Sequence, residues 1–255
     1  MKTPSKWSEV TLDQYYNLTE AIAMDWETDT DRAVAMLSAL SGISIKHLTE
    51  EVDTKELIKA IKAIKFIGDE KVTGHPSPSL KVGKRRFEVD LLIRDSTASS
   101  FISLTEYTKT SEIAKVNIHN LMAVFCFEVN WFGFRKKRTA KSQKEIAEYF
   151  KANLTMDKAF IYSGFFFAEL ESLIKGYAIL FGLTDEESHE DNSEGSPEFV
   201  KHWGWYYTLD SLSNNDRTKW EYLLDMNVIA FLNYLAYTKD KQDYIAESQK
   251  KIRNG

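Results

Sequence analysis

Two short runs in this chain set cations beside aromatic rings. Lys81, Lys84, Arg85 and Arg86 surround one of them, and Arg135, Lys136, Lys137 and Arg138, with Lys141 and Lys144 beyond, follow Trp131-Phe-Gly-Phe134. Cations hold phosphates and rings stack on bases, so this is one pattern for nucleic-acid contact. The whole chain weighs against it: 255 residues carry a formal net charge of -5, and the basic residues are local. The other reading of Arg135 to Arg138 is a charged loop entering a solvated helix, where Ser142 and Glu145 have capping-box spacing.

Other reactive residue types fall into no pattern that makes or breaks bonds. Gly83-Lys84 lacks the upstream glycine and following hydroxyl of a phosphate loop. Ser163-Gly164 lacks the preceding glycine of a nucleophile elbow. His47, His75, His119, His189 and His202 show no metal spacing with one another or with Cys126, and His189-Glu-Asp191 reads as solvated acidic chain. Cys126, the single cysteine, sits in Ala123-Val-Phe-Cys-Phe127, where a small buried thiol is expected and an internal disulfide is excluded. No catalytic residue, metal or cofactor is expected, and the chain reads as non-enzymatic.

The elements that would carry these residues are mostly helical. Four prolines and eleven glycines leave few irregular stretches. A helix is predicted after Thr11, capped with Gln14 and burying Tyr15, Leu18 and Ile22. A second follows Thr28, with Ala33, Val34, Leu37 and Leu40 inward and Gly42 as its stop. A third starts at Asp53 and presents Leu57, Ile58, Ile61, Ile64 and Ile67. Phe87, Val89, Leu91 and Ile93 alternate as in a half-buried strand, and Gly83-Lys84 turns Leu80-Lys-Val82 against it. The run Thr97-Ala-Ser-Ser-Phe-Ile-Ser-Leu-Thr-Glu106 echoes Thr11-Leu-Asp-Gln-Tyr-Tyr-Asn-Leu-Thr-Glu20: a threonine able to cap, then an aromatic and a leucine three apart. A further apolar helical run follows each copy, Ala33 to Leu40 and Leu121 to Phe127.

The fold class expected is therefore mainly α: two related helical units (about 7–68 and 95–183) with a small β-hairpin (about 80–94) between them, together a body over 1–183. An acidic linker over 184–197 and an aromatic-rich helical module over 198–255 complete the chain. Thr155 to Gly182 is the most apolar stretch. Glu169, Glu171 and Lys175 at its centre each oppose membrane insertion by about 2.5–3.5 kcal/mol, so no membrane span is expected. Its Phe165, Phe166 and Phe167 point to three faces of a helix, which suits contact with a partner as well as burial. Trp203, Trp205, Tyr206 and Tyr207 form a second candidate protein interface. Lys239 to Arg253 is expected to project into solvent or fray.

The opening Trp7-Ser-Glu-Val-Thr-Leu12, the hairpin Lys81-Val-Gly-Lys-Arg-Arg-Phe-Glu-Val89 leading into the second threonine unit, and the region around Phe165-Phe-Phe167 together resemble tail assembly proteins of long-tailed bacteriophages. The likeness is to the chaperone-like proteins encoded near the tape measure gene. Trp203-Gly-Trp-Tyr-Tyr207 with Phe231-Leu-Asn-Tyr-Leu-Ala-Tyr237 is similar to small modules of phage morphogenesis proteins. The resemblance implies a non-enzymatic role in tail assembly, coating the tape measure protein and helping the tail tube polymerise around it. It implies phage partners (tape measure, tail tube or neck proteins, or a second copy of this chain) and the host cytoplasm during assembly as the place of action. The alternatives are a permanent virion component, such as a neck, ring or tail protein, and a nucleic-acid-binding accessory protein acting through Arg135, Lys136, Lys137 and Arg138.

Overall fold

The computed structural model describes residues 2–69, 71–181 and 202–254. The expected acidic linker, 184–197, lies outside the described residues. The chain is mainly α with one small antiparallel sheet. In order it forms α1 (Leu12–Ala23), α2 (Asp29–Ser41), α3 (Ile45–Glu50), α4 (Thr54–Ala63), α5 (Phe66–Asp69), β1 (Ser79–Val82) and β2 (Arg85–Val89). Then come α6 (Ala98–Tyr107), α7 (Ser111–Val116), α8 (Ile118–Phe125), β3 (Cys126–Glu128), α9 (Ala140–Asn153), α10 (Met156–Gly176) and α11 (Ala178–Phe181). The last elements are α12 (Trp205–Leu212), α13 (Trp220–Asp225) and α14 (Val228–Asn254).

The helix starts are set by side chains that satisfy otherwise unpaired amides. Thr11 and Gln14 form a reciprocal capping box on α1, Thr28 caps α2, and Asp53 accepts from two amides of α4. Gly42 ends α2 in the left-handed region at φ 72°. The buried stripe of α1 is Leu12, Tyr16, Leu18 and Ala21, with Tyr15 and Ile22 half-buried at its edge. On α4 the expected stripe is only partly inward: Ala60 is buried and Ile58 is exposed.

Residues 1–91 and 107–165 form one compact unit, and residues 92–106 and 166–255 form another. These boundaries differ from the expected body and separate module. Contiguous reading put 97–106 with the helices that follow it, whereas backbone pairing ties it to α14: Ala98 N–H donates to Met226 O at 2.8 Å and Val228 N–H to Ser96 O at 2.9 Å. The first unit holds the matching arrangement, with Leu12 N–H donating to Leu154 O at 3.0 Å and Met156 N–H to Val10 O at 2.8 Å. In each unit a capping threonine, Thr11 or Thr97, bridges to the residue before another helix start, Thr155 or Asn227. The echo in the sequence is thus an echo of one local structure, a pair of helix starts stapled by two main-chain bonds.

In the first unit β1 pairs with β2 and β2 with β3, all antiparallel. The expected strand stops at Val89, since Ile93 to Asp95 is a short 3-10 turn. The expected helix over Leu121 to Phe127 ends at Phe125, and Cys126 to Glu128 become the third strand. Gly83 makes the β1–β2 turn at φ 53°, and a Cβ there would lie 2.6 Å from the Tyr149 hydroxyl. Leu80, Val82, Phe87 and Val89 turn inward and Phe87 packs on Phe150, ring centroids 4.7 Å apart. Trp7 joins Tyr15, Phe66 and Phe160 edge-to-face elsewhere in this unit. In the second unit Phe101, Phe231, Leu209 and Leu223 are buried, and Trp205 stands between Phe101 and Phe231.

Candidate interaction surfaces

The sheet of the first unit carries an arm. Beyond β3 the chain runs on to Asn130 and turns back, held by a bridge between Val129 and Arg135 and by Lys136 N–H donating to Glu128 O at 2.8 Å. Asn130 locks the tip. Its amide N–H donates to Phe134 O (2.9 Å), its carbonyl accepts from Gly133 N–H (3.0 Å), and its side-chain oxygen accepts from the amides of Phe132 (2.9 Å) and Phe134 (3.0 Å). Gly133 sits at φ 86°, a conformation glycine adopts without the clash a Cβ brings. The result is a fixed tip on which Trp131, Phe132 and Phe134 are 85%, 81% and 71% exposed.

The expected basic patch lies at the base of this arm and is mostly consumed there. Arg135 pairs with Glu88 (2.8 Å) and Asp90, and its guanidinium lies 4.4 Å over the Phe127 ring. Arg138 covers the same ring at 4.8 Å and donates to the carbonyls of Val124 and Ala123 at the end of α8. Lys136 Nζ lies 2.7 Å from Glu128, which also binds Arg85. Hydrogen bonding to Arg85 lowers the Glu128 carboxyl below its ordinary range, and bonding to Glu88 and Asp90 raises Arg135. Burial lowers Arg138 and raises the Cys126 thiol, which keeps that sulfur protonated and inert. A shallow cavity of about 320 Å³ opens here, lined by Arg85, Glu128, Lys136, Lys137, Arg138 and Glu145 among others. As a phosphate-holding patch, Arg135, Lys136, Lys137 and Arg138 are therefore corrected. Three of the four already serve carboxylates or carbonyls of their own unit, and Glu88, Asp90 and Glu128 place negative charge where phosphates would come.

The helix after the arm also starts differently from expectation. Thr139, not Ser142, caps α9, and Ser142 returns the bond to the Thr139 amide at 2.9 Å.

Of the two expected protein interfaces, the first is corrected. Phe166 is 0% exposed, and Phe165 and Phe167 are half-buried. The division between the two units falls within α10, with residues up to Phe165 in one and residues from Phe166 in the other.

The second interface divides. Trp205 is an anchor of its unit, with its ring 5.9 Å from Phe101 and its indole N–H donating to Thr105 Oγ1 at 3.1 Å. Trp203, Tyr206 and Tyr207 are exposed and, with Asp210, Arg217 and Trp220, line a shallow basin of about 240 Å³. Tyr206 meets Trp220 edge-on at 5.6 Å and Arg217 lies 5.5 Å over Trp220.

Among the described residues no group of three histidine, cysteine or carboxylate side chains is placed to hold a metal, and no helix is long and apolar enough to cross a membrane. Sequence reading named Trp131, Phe132 and Phe134 only as stacking partners for the basic run. Asn130 and Gly133 were the available signal, an asparagine and a glycine spaced to close a tight turn that leaves its other side chains outside. Comparison of the chain with protein-family models, curated proteins and solved structures gave no match.

Proposed function

We propose that this protein acts by binding other proteins during bacteriophage particle assembly, as a tail assembly chaperone that makes and breaks no bonds. The phage setting comes from the resemblance in Trp7 to Leu12, Lys81 to Val89 and the C-terminal aromatics. One observation supports the mode of action: three large aromatic side chains held outward on a locked tip whose flanking charges are already paired. Burying each gains about 1.5–3 kcal/mol, while association costs about 4–15 kcal/mol. One such arm supplies weak, reversible attachment, which suits a chaperone that must release its client. A permanent virion subunit generally rests on a much larger interface, of roughly 2,000 Å² or more.

The test is co-purification from infected cells. The tape measure protein should accompany the wild-type chain and be lost with Trp131→Ser/Phe132→Ser/Phe134→Ser, whose circular dichroism stays unchanged. Recovery of the client with the triple variant removes the arm from the reading. Turnover of any substrate, abolished by changing one polar side chain, removes the reading itself.

A further inference from the structure

We propose that the aromatic basin of the second unit receives the guanidinium of an arginine side chain from a partner protein, with Asp210 as its counter-ion. Trp203, Tyr206, Tyr207, Asp210, Arg217 and Trp220 line a space of about 240 Å³. Drug-sized pockets run from about 300 to about 1,000 Å³, so this one is sized for a single side chain. It belongs to the unit that does not carry the arm.

The backbone holds the walls in place. Gly204 precedes α12 at φ 46°, a conformation that glycine adopts without the clash of a Cβ, and Trp203 before it packs edge-on against Tyr206 at 6.3 Å. After α12, Asn214 and Asn215 both take left-handed conformations, at φ 55° and 63°, and lead the chain back to Trp220. Trp220 is pinned by its indole N–H, which donates to the buried Ser213 Oγ at 3.2 Å, and Ser213 Oγ donates to Asp210 O at 3.0 Å. The ring planes are inclined at 71° (Trp203 and Tyr206) and 67° (Tyr206 and Trp220). Rings so inclined make walls around one inserted group, not the open platform on which successive bases stack.

Charge and ring faces together select a cation. The neighbouring Asp216 is paired with Lys219 at 3.2 Å, whereas the half-buried Asp210 enters no ion pair among the described residues. A carboxylate and the negative faces of aromatic rings attract the same sign of charge. One wall already accepts a guanidinium, since Arg217 lies 5.5 Å over the Trp220 ring. Arginine fits better than lysine. Its plane stacks on a ring while its fork donates two N–H groups to one carboxylate, and it is less strongly hydrated than an ammonium. Arg217 is then a resident competitor, displaced when the incoming arginine takes the wall.

The full chain is titrated with the peptide acetyl-Gly-Arg-Gly-amide at constant ionic strength, and the indole N–H resonances of Trp203, Trp220 and Trp131 are followed by NMR. Exposed cation–ring contacts are weak, so the dissociation constant should be on the order of 1 mM. Trp203 and Trp220 should shift together and saturate, while Trp131 on the arm stays in place. Asp210→Asn should weaken binding by at least about tenfold, and Arg217→Ala should strengthen it about two- to fivefold. Citrulline, an uncharged isostere, should abolish binding when it replaces arginine in the peptide. An equal response to the citrulline peptide, or to one with proline there, assigns the basin to uncharged ligands and overturns the proposal. So does weaker binding by Arg217→Ala, lysine binding as tightly as arginine, a Trp131 shift matching those of Trp203 and Trp220, or no saturation by about 20 mM. The titration uses neither the arm nor a client, so its failure leaves client binding by the arm standing.

Discussion

At the scale of single residues, Phe166 and Trp131 show how little side-chain type says about role. Both are aromatic and both lie in apolar runs, yet one is wholly enclosed and the other almost wholly exposed. Phe166→Ala should lower unfolding free energy by about 3–5 kcal/mol, the cost of an emptied aromatic site. Trp131→Ala should stay within about 0.5 kcal/mol. Urea titrations of the two variants make the comparison. His119 gives a pH prediction. Its Nδ1 lies 2.9 Å from the Tyr16 hydroxyl, and burial pushes the ring below its ordinary value of 6.5. A depressed histidine is charged more readily in the unfolded chain, so the stability it lends is whole above pH 6.5 and drains away as pH falls below it. The urea midpoint should therefore drop between about pH 7.5 and about pH 5.5, less steeply in His119→Gln. The Glu128 carboxyl is also depressed, but its contribution is lost only below its own ordinary 4.5, so the two windows separate.

At the scale of elements, the arm depends on bonds that sequence neighbours do not make. Arg135 reaches back to Glu88 and Asp90 on or beside β2, and Arg138 reaches the end of α8. Exposed ion pairs add at most about 1 kcal/mol to global stability. Arg135→Ala should thus leave the unfolding midpoint nearly unchanged while loosening the arm locally. Hydrogen exchange should show this as faster exchange of the Gly133, Phe134 and Lys136 amides. Arg138→Lys should cost more, because an ammonium cannot span both the Ala123 and Val124 carbonyls as the planar guanidinium does. Buried carbonyls left unpaired cost about 1–3 kcal/mol each.

At the scale of the whole molecule, two compact units each contain a capping threonine bridged to a second helix start. The chain leaves the first unit at Leu91, returns at Tyr107, and leaves again within α10. The functional prediction that belongs here concerns stoichiometry. Under the chaperone reading, mass spectrometry of purified particles should find this chain absent or far below one copy per tail ring. A fixed copy number in the particle would favour the virion alternative. For the nucleic-acid alternative, retention on single-stranded DNA should be negligible at physiological salt, since Arg135, Arg138 and Lys136 are engaged within their own unit.

Much of the secondary structure was readable because its causes are local. Thr11, Thr28 and Asp53 mark helix starts and Gly42 marks a stop through bonds and sterics that span a few residues. The helix break at Cys126 was hidden, since Ala123 to Phe127 is apolar throughout and periodicity cannot tell a buried helix end from a buried strand. The candidate surface was hidden for a different reason. Composition and spacing dictated a mainly helical chain, its caps, its hairpin turn and the repeated threonine unit. Long-range packing assigned Phe166 to the interior and Trp131, Phe132 and Phe134 to the outside, and it spent the cations of 135–138 on Glu88, Asp90, Glu128 and two carbonyls. Caps and turns are closed by neighbours along the chain, whereas burial and charge pairing depend on which distant segments come to lie beside a residue.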